Sequence, residues 1–353
     1  LHCRGACGDR ICDSFNHLTR LFPYLSIICL LLLLTGCSEP ANSVLLSWAD
    51  GPAKAAVLSY VDSVTQPRSP DFLPPAERIA VFDHDGTLWA EQPVYFQTYM
   101  IYEKVLEQAP MHPEWQVEQP FKAVLEHDQA YLMQRGYAAM RVSSAAVTKG
   151  MATNDYLQIS ESFARNSVHP ELNMPFAGLT YAPMLELVQF LHENSFQVFI
   201  VSGGDIDFIR GFSEQFYGIP RERVIGSSRR NELSADATKV LRGSAFASMN
   251  VNSTKVLNID LHIGRIPVFA VGNSDGDLAM LAYTASHGGF ALLLDHDDAA
   301  REYSCRDGAA KALEAASLNG WTVVSMRNDF LRIFNVVISF WCFAGPESEW
   351  NYV

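Results

Sequence analysis

The stretch Ile79-Ala80-Val81-Phe82-Asp83-His84-Asp85-Gly86-Thr87-Leu88 decides how the rest of the chain is read. Four apolar residues run without interruption and then give way to two aspartates two positions apart. A run this short and uniformly apolar suits a strand buried on both faces, as in a parallel sheet. Asp83 and Asp85 follow at its carboxyl end, where open α/β sheets bind their ligands. Gly86 lets the chain turn sharply there. Side chains alternate along an extended segment, so the two aspartates point toward one place and His84 to the other side. Two such carboxylates repel each other. A hard divalent cation offsets that, and Mg²⁺ takes one or two carboxylates plus waters and substrate phosphate. A carboxylate placed this way can also be a nucleophile toward phosphorus. An acidic turn after a strand is the plain alternative.

Outward from this stretch the pattern repeats. Gln197–Val201 ends in Ser202-Gly203-Gly204-Asp205, Pro267–Val271 ends in Gly272-Asn273-Ser274-Asp275-Gly276-Asp277, and Gly289–Leu294 ends in Asp295. Helical patterns fill the gaps. Pro183–Asn194 opens on a proline and carries Leu185, Leu187, Val188 and Leu191. Asp205–Phe216 presents Ile206, Ile209, Phe212 and Phe216 at helical spacing, with Gly218 as a cap. Residues 91–182 hold no strong strand signal. Their patterns near 94–108, 120–134 and 154–165 are helical, with Pro120 and Thr153 as starts. The expected architecture is a doubly wound, Rossmann-like α/β core over 76–90 and 183–333. A helical cap over 91–182 is inserted after its first strand.

Composition agrees with an ordinary globular chain. Of 353 residues, 48% are apolar and 18% charged, which excludes a disordered or collagen-like polymer. The net charge of −13 disfavours nucleic acid as the main partner, because phosphate backbones reward basic patches. A small anionic substrate stays open, since a few local cations and one metal ion can dominate a pocket.

The N-terminal part reads as a separate unit. Residues 21–34, LFPYLSIICLLLLL, follow Arg4, Arg10 and Arg20. This run is shorter than the roughly 20 residues of a spanning helix and has the length and flank of a signal-peptide core. Leu34-Thr35-Gly36-Cys37 then resembles a bacterial lipobox, with Cys37 as the lipidated residue. A short anchor or buried helix that happens to end in cysteine is the alternative. The expectation is a signal over 1–36, a polar tether over 37–75, export, and lipid anchoring at a bacterial membrane facing the periplasm or exterior. Cys3, Cys7, Cys12 and Cys29 would be lost on cleavage, leaving Cys305 and Cys342 in the body and no disulfide framework. The start at Leu1 and the crowding of Cys3, Cys7 and Cys12 also fit a start assigned too far upstream. The apolar run Phe334–Ala344 is too short to span a membrane and reads either as a buried strand or as an altered tail.

Taken together, DxDGTL at 83–88, SGG at 202–204, Lys255 and GNSDGD at 272–277 resemble the haloacid dehalogenase superfamily, in its phosphatase branch and near phosphoserine phosphatase. The likeness covers residues 76–333, including Gly320-Trp321-Thr322-Val323-Val324. It implies a nucleophile and metal ligand at Asp83. It implies a general acid/base at Asp85, whose backbone carbonyl touches Mg²⁺, and a phosphate-binding position at Ser202 with the Gly203 amide. It implies a charge-neutralising lysine at Lys255, with Lys239 as competitor. In GNSDGD, Asn273 falls where an aspartate ligand is expected and Asp277 on the second acid. The third metal ligand stays open among Asn273, Asp275 and Asp277.

The resulting expectation is a Mg²⁺-dependent phosphomonoester hydrolase. It forms an aspartyl-phosphate on a small phosphorylated metabolite. Asp85 argues against a dehalogenase, whose leaving group needs no proton. No cap lysine is placed for the Schiff base of a phosphonatase. A binding lipoprotein without turnover is the rival from another class, with Asn273 in its favour. Glu91, just after the motif, could read a substrate amine or hydroxyl. The ten histidines show no zinc spacing.

Overall fold

Ile79–Phe82 forms β1, buried along its whole length. It lies at the centre of a seven-stranded sheet in a computed structural model that describes residues 44–335. The other strands are β2 (Gln197–Asp205), β3 (Val224–Arg229), β4 (Glu232–Leu233), β5 (Val240–Leu241), β6 (Phe246–Ser248), β7 (Phe269–Gly272), β8 (Phe290–Asp295) and β9 (Thr322–Ser325). The sheet order is β6-β3-β2-β1-β7-β8-β9, while β4 and β5 make a separate two-stranded hairpin. All neighbours in the sheet run parallel except the edge pair β3 and β6. The chain winds outward from β1 through β2 and β3 on one side, then returns to β7 and winds through β8 and β9 on the other. The order therefore reverses at β1, which opens a crevice at the carboxyl ends of β1, β2 and β7.

Period-two alternation along the strands splits the core into two layers. Ala80, Phe82, Val198, Ile200, Phe269, Val271, Leu292 and Leu294 pack on one face with the helix Ala182–Glu193. Ile79, Val81, Val201, Ala270 and Leu293 pack on the other with Ile259, Met280, Leu281, Ala312 and Ala316. Those five residues belong to the helices Ser253–Ile263, Leu278–Ser286 and Ala310–Asn319.

The reading of 37–75 as a tether is corrected over the described part of that span. Leu45 and Trp48 are buried, and Trp48 Nε1 donates to the Pro183 carbonyl at 2.9 Å. Pro52–Thr65 is a helix with proline in its first turn, and it buries Ala53, Val57, Val61 and Val64. Their spacing of three and four is a helical stripe, hidden in a composition that reads as polar. Tyr60 on this helix donates to the Val268 carbonyl at 2.6 Å and rests 5.1 Å from the Phe290 ring. The segment completes the first layer. A second correction concerns Asp205–Phe216, which is two short helices, Ile206–Arg210 and Ser213–Tyr217. The break falls at Gly211, where a Cβ would stand 2.7 Å from the Leu157 carbonyl of a packed helix.

Residues between β1 and β2 supply the helices Phe96–Gln108, Phe121–Leu125, Gln129–Thr148 and Thr153–Asn166. The chain enters and leaves this insertion side by side. Ala90 N–H donates to Leu179 O, and Tyr181 N–H donates to Leu88 O. Phe334 stacks on Tyr181 at 5.8 Å and Asn335 N–H donates to Thr180 O, so the C-terminal run begins by docking on this junction. The rest of that run, the signal segment and Cys37 lie outside the described residues. Among the described residues no helix is long and apolar enough to cross a membrane.

Candidate active site

The β1 carboxyl end turns into the site through Gly86, whose φ of +73° lies in the left-handed region. A Cβ there would come within 2.1 Å of Asn273 Nδ2 and 2.6 Å of Glu91 Oε1, so only glycine fits. The turn presents Asp83 and Asp85 to a cavity of about 260 Å³ shared with Glu91, Ser202, Gly203, Gly204 and Lys255. Lys239 is not among these. It lies exposed on the β4–β5 hairpin, its backbone N–H held by Ser234 Oγ, while Lys255 reaches the cavity.

Lys255 is buried in the first turn of its helix. Its Nζ donates to Asp83 Oδ1 at 2.7 Å and to Asp277 Oδ1 at 2.6 Å. Burial lowers the affinity of the ammonium for its proton, but the charges of Asp277 and Asp83 outweigh that and hold Lys255 protonated. Asp83 is pushed up from the ordinary carboxylate range by burial and by the negative charge of Asp277, against the opposing pull of Lys255. Its second oxygen, Oδ2, accepts no hydrogen bond from the described residues.

Asp85 has a different environment. Trp89 Nε1 donates to its Oδ1 at 2.8 Å, and His84 Nδ1 lies at ion-pair distance, 3.3 Å, from the same oxygen. Burial would raise this carboxyl, but His84, Trp89 and Lys255 together hold it below the usual range. The ring of His84 is buried, with Nε2 paired to the Tyr217 hydroxyl at 2.9 Å. It thus points away from the cavity and still touches Asp85 from behind. Ser202 comes from the β2 end, and its Oγ accepts the Gly204 N–H at 3.0 Å. A Cβ on Gly204 would stand 3.3 Å from Ser202 Oγ and 3.5 Å from Asp85 Oδ2, so these two polar groups share one corner.

The GNSDGD loop distributes its roles differently from the expectation. Asp277 has no exposed surface, and both its oxygens are taken by protein donors. Oδ1 receives Lys255, while Oδ2 receives the Asn273 N–H, the Ser274 N–H and the Ser274 hydroxyl, each at 3.1 Å. Asp277 is therefore the anchor of Lys255 and of its own loop instead of a free metal ligand. Asp275 is turned away, accepting the Ala312 N–H at 2.9 Å, and leaves the contest for the third ligand. Asn273 faces Glu91 and Thr87. Its amide nitrogen donates to Glu91 Oε1 at 3.0 Å and its oxygen accepts the Thr87 hydroxyl at 3.1 Å.

Three side chains that sequence reasoning passed over or underused complete the surroundings. Glu91 is buried in the cavity wall and pushed up to about 7. Burial dominates, Asp85 and Asp277 add to it, and His296 and the Asn273 amide oppose it. His296 follows β8, one residue past a strand end where the sheet rule places ligand groups. It pairs with the Gly86 carbonyl at 2.7 Å and with Glu302 at 3.1 Å. Both neighbours are acceptors, so both ring nitrogens carry protons, and the charge of Glu302 raises the imidazole above its ordinary range despite burial. Tyr181 closes the chain by donating to Glu302 at 3.0 Å. This relay fixes the Gly86 turn from behind.

The donor set fits a hard divalent cation. Asp83, Asp85 and Glu91 line the cavity with Lys255 as its basic side chain, and burial leaves Asp83 and Glu91 short of compensating charge. Among the described residues no cluster of three His, Cys, Asp or Glu forms a ready-made cage. Mg²⁺ asks for less, since waters and a substrate phosphate complete its shell. The Asp83 carboxylate, Asp85 and the Glu91–Asn273 pair are the groups that would hold it.

A search of curated proteins gave no match. Among solved structures, a functionally unknown protein from Anaerococcus prevotii DSM 20548 aligns at TM-score 0.49 and 17% identity, covering 77% of this chain and 91% of that one. A protein of unknown function from Bordetella pertussis Tohama I aligns at 0.46 and 14%, covering 70% and 98%. A phosphoserine phosphohydrolase-like protein from Francisella tularensis aligns at 0.35 and 20%, covering 68% and 99%. The sequence itself matches the haloacid dehalogenase-like hydrolase family over residues 80–282, which run from β1 through the GNSDGD loop and hold every group of the cavity that can do chemistry. On that match, which takes in more than half of its length, the chain belongs to the haloacid dehalogenase-like hydrolase family.

Proposed function

We propose that this hydrolase is a Mg²⁺-dependent phosphomonoester phosphatase that works through Asp83. One observation carries the reading. Asp83 has one oxygen clamped by Lys255 and the other open to a cavity shared with Asp85 and Ser202. A carboxylate so held has one attacking oxygen and one fixed direction of attack.

Asp83 Oδ2 attacks phosphorus, the ester P–O bond breaks, and the departing oxygen takes the proton of Asp85. Substrate charge arriving beside Asp85 raises its proton affinity from the depressed value of the free site. In the second step Asp85 takes a proton from water, which attacks the phosphoryl group and releases inorganic phosphate and free Asp83. Lys255 neutralises equatorial oxygens in both steps, and Ser202 with the Gly203 amide binds them. Such preorganised charge is where most catalysis of phosphoryl transfer resides. Mg²⁺ held by the residues named above would supply further charge neutralisation.

The test is hydrolysis of an aryl phosphate with and without Mg²⁺, followed by mapping of the trapped phosphoryl label. Turnover that survives exhaustive chelation removes the metal from the proposal, and a label on any residue but Asp83 removes the nucleophile. We also propose export and lipid anchoring at Cys37, supported by the sequence from 21 to 37 alone. Incorporation of labelled fatty acid that is lost in Cys37→Ala is the expected result.

A further inference from the structure

The cavity of Asp83 and Ser202 has walls that decide what an ester oxygen there can carry. Besides its charged and phosphate-binding groups it is lined by Tyr95, Tyr137, Met140, Phe208, Val251 and Gln97. Tyr95 and Tyr137 meet edge to face, 6.4 Å apart at 85°. Gln97 has its amide already committed, its nitrogen to the Tyr156 hydroxyl at 3.0 Å and its oxygen to the Asp205 N–H at 3.4 Å.

Among the residues that line the cavity, Lys255 is the sole basic side chain, and two carboxylates hold it. Two buried arginines lie nearby, and both are spent. Arg229 pairs with Asp205 and Ser144, and Arg242 pairs with Asp205 and Asp207 while lying over the Tyr156 ring. A second anionic group on the substrate would find no free cation among these residues and would face Asp83, Asp85 and Glu91, a like-charge arrangement that is unfavourable. An aromatic or apolar ring would instead find edges, faces and a thioether. Size narrows the choice further. A cavity of about 260 Å³ must also hold the phosphate. It lies below the roughly 300–1,000 Å³ of sites for drug-sized ligands.

We infer that the substrate is a monophosphate ester of a small, single-ring alcohol or phenol without negative charge. This rests on the phosphatase reading and narrows it. It excludes phosphorylated amino acids with a free carboxylate, bisphosphates and whole nucleotides as preferred substrates.

The test compares kcat/KM, in Mg²⁺, for phenyl phosphate, 4-carbamoylphenyl phosphate, 4-carboxyphenyl phosphate, O-phosphoserine, a sugar bisphosphate and a nucleoside 5′-monophosphate. Acetyl phosphate is included because its leaving group is too small to need the walls. The carbamoyl and carboxyl esters match in size and differ in charge. The expected result is a preference of at least about tenfold for the carbamoyl ester, the cost of bringing a second negative charge beside those carboxylates. The last three substrates should trail phenyl phosphate. Met140→Arg should raise the carboxyl-to-carbamoyl ratio by giving the anion a partner. Turnover of acetyl phosphate with equal or better use of the carboxyl ester, or with no use of ring esters, overturns the inference and leaves the phosphatase reading standing. No turnover of anything, acetyl phosphate included, overturns the phosphatase reading and this inference with it.

Discussion

Asn273 donates its amide N–H to Glu91 Oε1 at 3.0 Å, joining the GNSDGD loop to the segment that leads into the helical insertion. An aspartate at 273 has no proton to give. It would set two buried carboxylates face to face on the same side as Asp83. The Asn273→Asp protein should lose about 1–3 kcal/mol in chelator, the cost of a buried hydrogen bond replaced by a clash. A divalent cation would relieve that repulsion, so Mg²⁺ should raise the melting temperature of the variant by more than it raises the wild type's. Equal responses to Mg²⁺ in the two proteins would show that residue 273 does not feel the metal. Asp275→Ala offers the contrast. It removes the acceptor of the Ala312 N–H and should cost stability with little change in Mg²⁺ response.

The two aspartates of β1's carboxyl end differ in partners and should differ in loss. Asp83→Asn should abolish both turnover and phosphoenzyme, because an amide neither attacks phosphorus well nor balances Lys255. Asp85→Asn should slow turnover by about 10²–10⁴, the usual worth of general acid–base help. The deficit should shrink for esters with good leaving groups, which need little protonation. Hydrolysis of the acyl phosphate still needs its water activated, so labelled protein should accumulate. Quench-flow with labelled substrate measures both steps. A label that fails to build up in Asp85→Asn would confine Asp85 to the first step.

Lys255 sits between two buried carboxylates, at 2.7 Å from Asp83 and 2.6 Å from Asp277. Lys255→Met leaves both without a counterion. Breaking a buried pair in this way typically costs about 3–5 kcal/mol. Lys255→Met with Asp277→Asn removes one of the stranded charges and should regain part of the stability with no regain of turnover. A double-mutant cycle read by denaturant unfolding checks the coupling. Additive losses would mean that the two side chains act independently, against the geometry.

The parts legible in sequence were those set by local pattern. Ile79–Phe82 is a strand at the residues its apolar run marks, and the ends of β1, β2 and β7 meet at the crevice their acidic and small residues foretell. Strands β3 and β6 carry weaker patterns. Val224–Arg229 mixes glycine and serines into a buried strand, because it needs only its first two side chains for the core and uses Ser227 to bind the Gly203 carbonyl. The helix Pro52–Thr65 escaped notice because prolines and charges around it set the tone of the segment, while its stripe of four small apolar residues is thin. Side-chain roles in the GNSDGD loop were beyond reach. Spacing places Asn273, Asp275 and Asp277 on one loop, but three-dimensional partners decide which faces Lys255, which caps Ala312 and which meets Glu91. Tyr95, Tyr137 and Met140 lie far apart in sequence or on different turns, and only the packing of the inserted helices brings them to one wall.

Glu91 makes the stability of the metal-free protein depend on pH with a definite sign. Its carboxyl is pushed up from 4.5 to about 7, chiefly by burial, so folding favours the protonated form. The stabilisation is complete below about 4.5 and is lost as pH rises through about 7, for a total of at most about 3 kcal/mol. His296 adds a contribution of the same sign. Its proton is held in the folded state by Glu302, and that stabilisation is lost as pH rises through its raised value. Glu91→Gln isolates the first effect. The amide keeps an oxygen for Asn273 and cannot ionise, so the variant should be nearly as stable as wild type at pH 4.5 and more stable at pH 8 in chelator. Denaturant unfolding of both proteins across this range gives the difference directly. Mg²⁺ should narrow the gap at pH 8, because the cation compensates a charged Glu91 and has nothing to compensate in the amide. Parallel curves in chelator would show that Glu91 ionises in the folded protein as readily as in water, and its place as a buried, charge-starved wall of the metal site would have to be given up.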